Sequence, residues 1–211
     1  MMIYIGMDDT DNHESRGTGH LARTVAAHLS ATYPLLGVVR HQLFFDPRVP
    51  YTKNNSSAAI LLQGERQPDL GAVFQQVKEM MLADFQPGSD PGLCVATAVP
   101  EAVSEFGRRV KVDLVTQGEA RQLATQEGIL LEGLGGTEGG VIGALAAVGL
   151  AASGEDGRYV QVGNLRELSG LQPVAALLAA GIHHVQTLEG KPVTQGMVST
   201  DKLRPARRGG V

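Results

Sequence analysis

Met2-Ile3-Tyr4-Ile5-Gly6-Met7-Asp8-Asp9-Thr10-Asp11 opens the chain, an apolar run that ends in three carboxylates within four positions. Met2 to Met7 reads as a short buried strand. A polar loop carries on to Gly17-Thr18-Gly19, and helical spacing then begins, with Leu21, Val25 and Leu29 on one face beside Ala22 and Ala26. Strand, acidic loop, helix is the pattern that decides the fold, and the rest of the chain repeats its alternation. Pro34 should end the first helix. Leu36 to Phe45 and Ser57 to Leu62 read as strands, separated by a loop with the turn signals Asp46-Pro47 and Val49-Pro50. Asp69 is the expected N-cap of a helix to about Asp84, with Leu70, Val73, Val77, Met80 and Met81 inward. Leu93 to Ala96 reads as a short strand, and helices are expected near residues 101–112 and 118–126. A glycine-rich segment, residues 128–143, leads into an apolar helix over residues 142–152. Residues 159–162 and 183–188 read as strands, with a helix near 173–180 between them, and the tail Arg204-Pro205-Ala206-Arg207-Arg208 reads as mobile. The expected class is α/β, or α+β.

Composition bounds the function. The 211 residues suit one large domain or two small ones, and 43% apolar content supports a sizeable core. Aromatic residues make up 4% and the net charge is −4, which argues against a freestanding nucleic-acid binder built on stacking platforms and excess positive charge. The single cysteine, Cys94, excludes an internal disulfide and a cysteine-based zinc ribbon. No apolar run approaches about 18 residues, so no membrane span is expected. The start of the chain lacks a basic leader, so a cytoplasmic location is the expectation.

The acidic loop carries the chemistry. Asp8, Asp9 and Asp11 repel one another, and crowding of this kind raises the proton affinity of each. A hard divalent cation such as magnesium would relieve the conflict with oxygen ligands. The backbone N–H groups at Gly17, Thr18 and Gly19 open a helix and can receive a phosphate, with Thr10 beside them. Metal-holding carboxylates followed by glycine-flanked amides suit phosphoryl transfer. The same residue types also serve as ordinary turn and cap residues. Lys53, in the polar stretch Thr52-Lys53-Asn54-Asn55-Ser56, would screen charge on a transferring group. Gly136, Gly139 and Gly140 would either cradle phosphate as an anion nest or permit tight chain crossing.

Three ordered blocks then resemble one family. Ile5-Gly6-Met7-Asp8-Asp9-Thr10-Asp11-Asn12, followed by Arg16-Gly17-Thr18, resembles the IGIDDTDS start of archaeal isoleucine-tRNA 2-agmatinylcytidine synthetase. Val38-Val39-Arg40 with Asp46-Pro47-Arg48-Val49-Pro50-Tyr51-Thr52-Lys53 resembles its R-L-N-P-x-I-P-Y-K-T stretch. Gly139 to Gly149 resembles its RGLIGALAAIG segment. The resemblance covers roughly residues 1–155. It implies a kinase-like α/β domain without a Walker loop, here residues 1–95, and a ferredoxin-like α+β domain within residues 96–211, the two either separate or packed as one unit. That family uses ATP and magnesium, phosphorylates the C2 oxygen of an anticodon cytidine and couples agmatine there. By position, Asp8, Asp9 and Asp11 would hold metal and nucleotide, and Thr18 would join the phosphate chemistry.

Two departures shape the expectation. The family's oligonucleotide-binding fold and cysteine zinc ribbon are not expected in 211 residues with one cysteine, and Tyr51 to Ser56 lacks the family's Arg-Gly-Asn. The sequence therefore points to an ATP- and magnesium-dependent phosphotransferase or ligase-like enzyme acting on an unknown acceptor, a small molecule by preference. A tRNA-modification enzyme working with a partner, and a non-catalytic nucleotide-binding protein, are the alternatives. Autonomous tRNA binding is not expected, and a homodimer is left open.

Overall fold

The computed structural model describes residues 1–52, 54–64 and 67–209. Lys53 lies outside them. The chain begins β1 (Met2–Asp8), α1 (Thr18–Leu29), β2 (Leu35–Gln42), β3 (Ser56–Gln63), α2 (Leu70–Ala83) and β4 (Gly92–Ala96). These four strands lie in the order β4-β1-β3-β2, the split β-α-β arrangement. Next come α3 (Glu101–Val110), α4 (Gln117–Gln126), β5 (Leu130–Gly133), α5 (Val141–Ser153) and β6 (Arg158–Gln161). β5 and β6 extend the same sheet at its two edges, giving the order β5-β4-β1-β3-β2-β6. Segments on either side of residue 95 therefore share one six-stranded sheet, and the split β-α-β unit occupies the front of the chain.

Strand alternation explains why both faces of the sheet are covered. Ile3, Ile5 and Met7 of β1 face α1 and α2, and pack with Leu21, Val25, Leu29, Val73 and Val77. Tyr4 and Gly6 face the other way, where α5 lies across the sheet and α3 packs on α5. The approach of α5 is close because the facing residues are small. A Cβ on Gly6 would sit 2.0 Å from the Ala144 carbonyl oxygen, and one on Gly149 would sit 2.1 Å from that of Val103. This helix is apolar on all sides because it is buried on all sides.

Several expectations change. Every strand pair in the main sheet is antiparallel, so of the two expected classes the sheet is of the α+β kind. The glycine-rich segment hides β5, whose partner β4 lies far back in sequence. Residues 183–188 form no strand: they contribute one isolated bridge, Gln186 to Pro192, and Leu188 is fully exposed. Among the described residues, 185–187 pair only with 191–193, the Thr187 N–H donating to the Lys191 carbonyl and the Val193 N–H to that of Val185, and this contact is too short to form a strand. The small second sheet instead joins β7 (Leu171–Pro173) to β8 (Met197–Ser199), next to the short α6 (Val174–Ala179). Nor is the arginine tail loose. The Tyr159 N–H donates to the Pro205 carbonyl at 2.8 Å, the Arg207 N–H donates to that of Gly157 at 3.0 Å, and Arg207 is 2% exposed. β6 is an edge strand with free backbone groups, and the tail satisfies them. Among the described residues, no helix is long and apolar enough to cross a membrane.

One buried polar cluster ties β2 to the turn after α5. His41, fully buried, has its Nδ1 2.8 Å from Asp156 Oδ1, and Lys111 bonds the other carboxylate oxygen. Burial pushes the His41 pKa down and outweighs the pull of Asp156, so the ring stays neutral and donates from Nδ1. Asp156→Ala should lower the unfolding free energy by about 2 kcal/mol, since it leaves the His41 donor and Lys111 without their acceptor. Urea unfolding measures this, and an unchanged midpoint would show that the cluster contributes nothing net.

Candidate functional site

The acidic loop is shaped by its surroundings as much as by its own sequence. As β1 ends, Asp9 takes a left-handed backbone conformation, φ 52°, which aspartate tolerates better than most residues. The Asp8 carboxyl turns onto α5 at Gly143, where an added Cβ would lie 1.7 Å from Asp8 Oδ2. Burial, then the neighbouring Asp9 charge, push the Asp8 pKa up to about 8. Asp9 is pushed up to about 6, by burial first and then by Asp90 and Asp11. Both groups are costly to ionise here, and a cation is the partner that would settle their charge.

Asp11 plays a different part. Its Oδ1 accepts from the Thr18 hydroxyl at 3.0 Å and more weakly from the Thr18 N–H at 3.4 Å, and its Oδ2 accepts from the Thr52 hydroxyl at 3.3 Å. The buried Thr10 hydroxyl donates to Thr18 Oγ1 at 3.1 Å. Asn12 closes the loop, its Oδ1 accepting from the Glu14 and Ser15 N–H groups. Asp11 and Thr10 together fix the Thr18 hydroxyl at the start of α1.

A cavity of about 340 Å³ opens here. Asp8, Asp9, Asp11, Asp90 and Asp113 line it, together with the apolar side chains of Leu43, Val49, Tyr51, Val110 and Val115. The Tyr51 and Phe45 rings, 4.8 Å apart, hold the loop that roofs it. A second cavity of about 160 Å³ shares Asp11, Thr18, Thr52, Asn54 and Ser56 with the first and lies against the start of α1, at Gly17 and Gly19. Arg40 reaches its wall, donating from Nε to Ser56 Oγ at 2.8 Å.

The residues singled out from sequence fall into three groups. Asp8, Asp9, Asp11, Thr18 and Gly139 line the main cavity, and Gly17 and Gly19 line the smaller one. Thr10 lies behind Thr18. Gly136 and Gly140 also lie behind the wall: Gly136, with φ +59°, is pressed against Asp90, and Gly140 against Gly92 and the Asp8 carbonyl. Sequence reading missed Asp90, whose Ser89-Asp90-Pro91-Gly92 setting looks like any turn. Its Oδ1 accepts from the Thr137 N–H, which ties the glycine-rich segment to the cavity carboxylates. Asp113 and Thr116, also on the cavity, carried no sequence signal.

Among the described residues, no three carboxylate, histidine or cysteine side chains converge as a ready-made metal cage. That does not conflict with magnesium, which commonly takes one or two carboxylates and completes its shell with water and substrate phosphates. Asp8 and Asp9 supply hard oxygen donors on the cavity lining, and this donor set fits the ion.

No family model matches the chain. Over 156 residues it is 27% identical to the isoleucine-tRNA 2-agmatinylcytidine synthetase TiaS of Pyrococcus horikoshii, covering 71% of this chain and 36% of that protein. Solved structures agree in fold. The complex of TiaS with its isoleucine tRNA and ATP aligns with a TM-score of 0.62 at 23% identity, and a tRNA fluorescent labeling enzyme with 0.62 at 24%, each covering 71% of this chain and 36% of its own. The chain thus spans about a third of the length of these relatives. Its acidic loop, two-faced sheet and small-residue helix form a TiaS-like region, similar to part of the isoleucine-tRNA agmatinylcytidine synthetase.

Proposed function

We propose that this protein uses ATP and magnesium to modify an RNA, with the triphosphate at the aspartates and the rest of the nucleotide along the apolar side chains. The observation that carries the reading is one cavity of about 340 Å³ lined both by carboxylates and by apolar side chains. That lining suits a ligand with a flat apolar end and a highly charged end. Asp8 and Asp9 would hold magnesium, which supplies charge neutralisation on the phosphates when bound. Asp11 would position Thr18 by accepting its hydroxyl proton, and the N–H groups at the start of α1 would contact phosphate oxygens, with Thr18 joining them only by giving up Asp11. Gly139, on the cavity lining, would present its backbone to the ligand. Lys53, next in sequence to Thr52 of the cavity wall, would screen charge on the transferring group.

An RNA acceptor is supported over a small-molecule one by the relatives. The matched protein is a tRNA agmatinylcytidine synthetase, and its solved complexes hold tRNA with ATP, or tRNA with AMPCPP and agmatine. The test is ATP consumption by the purified chain with magnesium and an unmodified tRNA transcript. Consumption that rises at least about tenfold when tRNA is added supports the reading. ATP cleavage that ignores tRNA but rises with a small amine or alcohol would favour the small-molecule acceptor.

A further inference from the structure

Folding gathers positive charge that the composition conceals. A hollow of about 400 Å³ is lined by Arg40, Lys111, Arg158, Arg204, Arg207 and Arg208, six of the 18 Lys and Arg residues in a chain whose net charge is −4. Two acidic residues share the hollow: Asp156 is bonded by His41 and by Lys111, which takes the Lys111 charge out of the count, and Glu155 Oε1 accepts from the Gly209 N–H at 2.9 Å. Five arginines against Glu155 leave the hollow positive. Arg158, Arg204 and Arg208 are exposed, so their charges face solvent. Arg207 is buried, and its Nε has no partner among the described residues although Nη1 donates to the Ala151 carbonyl. That Nε is closed off from solvent, so Arg207 contributes its charge to the hollow rather than a direct contact.

Position links the hollow to the candidate site. Arg40 lines both the hollow and the small cavity at the start of α1, which in turn shares Asp11 and Thr18 with the main cavity. We infer that this basic hollow docks the sugar–phosphate backbone of the acceptor RNA and leads the strand past Arg40 to the acidic cavity. The inference rests on the RNA reading above and adds to it a surface most of whose cations lie outside the family resemblance. That resemblance ends near residue 155, whereas Arg158, Arg204, Arg207 and Arg208 follow it. Charges spread over β2, the end of α3 and the tail suit a polyanion that touches several points better than one compact anion.

The test is fluorescence anisotropy with a labelled tRNA transcript across a salt series. The proteins are the wild type, the Arg158→Gln/Arg204→Gln/Arg208→Gln variant and the matching triple lysine variant. All three positions are exposed and none is placed in the catalytic machinery. The glutamine variant should bind at least about tenfold more weakly, with a slope of log affinity against log salt shallower by about two. The lysine variant, which keeps the charges, should bind like the wild type. Equal affinity and slope for the glutamine variant would overturn the inference. So would inorganic pyrophosphate binding the hollow tightly while tRNA does not bind. ATP binding measured on the same variants separates the two readings. Groove-dependent tRNA binding without ATP binding removes the enzymatic reading alone, and tRNA-stimulated ATP consumption unchanged in the glutamine variant removes the groove alone.

Discussion

An Asp8→Asn protein should melt higher than the wild type at pH 8 without ligand, and should bind ATP no better with magnesium than without it. The first half follows from linkage. The Asp8 carboxyl has a pKa of about 8 in the folded chain against an ordinary value of 3.8. Between those values the folded state holds a proton that the unfolded state has released, so wild-type stability falls as pH rises through that window. Asp9, pushed up to about 6, adds to the loss between pH 4 and 6. Asparagine carries no charge to bury and escapes the Asp8 part of the loss. The two proteins should therefore melt alike near pH 4, and the variant should gain about 5 °C by pH 8. The second half follows from the donor set: with Asp8 gone, a single uncompensated carboxylate faces the ion. Calorimetric melting at pH 4, 6 and 8, with and without magnesium and ATP, reads both halves. A variant that melts lower at pH 8 would mean that the Asp8 charge is already compensated and needs no cation.

The second large effect separates two glycines on one interface. Gly6→Ala drives a methyl to 2.0 Å from the backbone carbonyl oxygen of Ala144, in a helix buried on every side. Neither strand nor helix can yield locally, and the substitution should cost about 3 kcal/mol or more of stability. Gly143→Ala meets Asp8, its Oδ2 at 1.7 Å, Cγ at 2.4 Å and Cβ at 2.9 Å. Rotation of the carboxyl clears the two shortest contacts and leaves the Cβ contact for a small backbone shift, so the stability cost should be about 2 kcal/mol, below that of Gly6→Ala. ATP turnover, however, should fall about a hundredfold, because the displaced carboxylate is the one expected to hold the metal. Urea unfolding and turnover measured on both variants show the contrast. Normal turnover by a folded Gly143→Ala protein would free Asp8 of its assigned role.

Much of this was readable from residues because local signals agreed with tertiary context. The helix from Leu21 to Leu29 carries its face in its spacing, and Asp69 caps α2 by accepting from the Ala72 N–H, as its place before the apolar run suggests. What stayed hidden depended on pairing across the chain. Strand direction has no sequence signature when both faces are apolar, so the antiparallel sheet was not visible. Asp90 joined the cavity carboxylates only when β4 came to lie beside β1. The tail arginines looked like a free basic end because nothing local shows that an edge strand awaits them. Bulk charge failed for a related reason: an average of −4 says nothing about how folding segregates its parts.

The central claim is that the crowded carboxylates at the end of β1 exist to receive a cation and the phosphates it carries. Calorimetric titration of ATP into the wild type and into Asp9→Asn, with and without magnesium, tests it most directly. The account predicts wild-type binding that strengthens at least about tenfold with magnesium, and no such gain in Asp9→Asn. Equal binding by the two proteins under both conditions would contradict it.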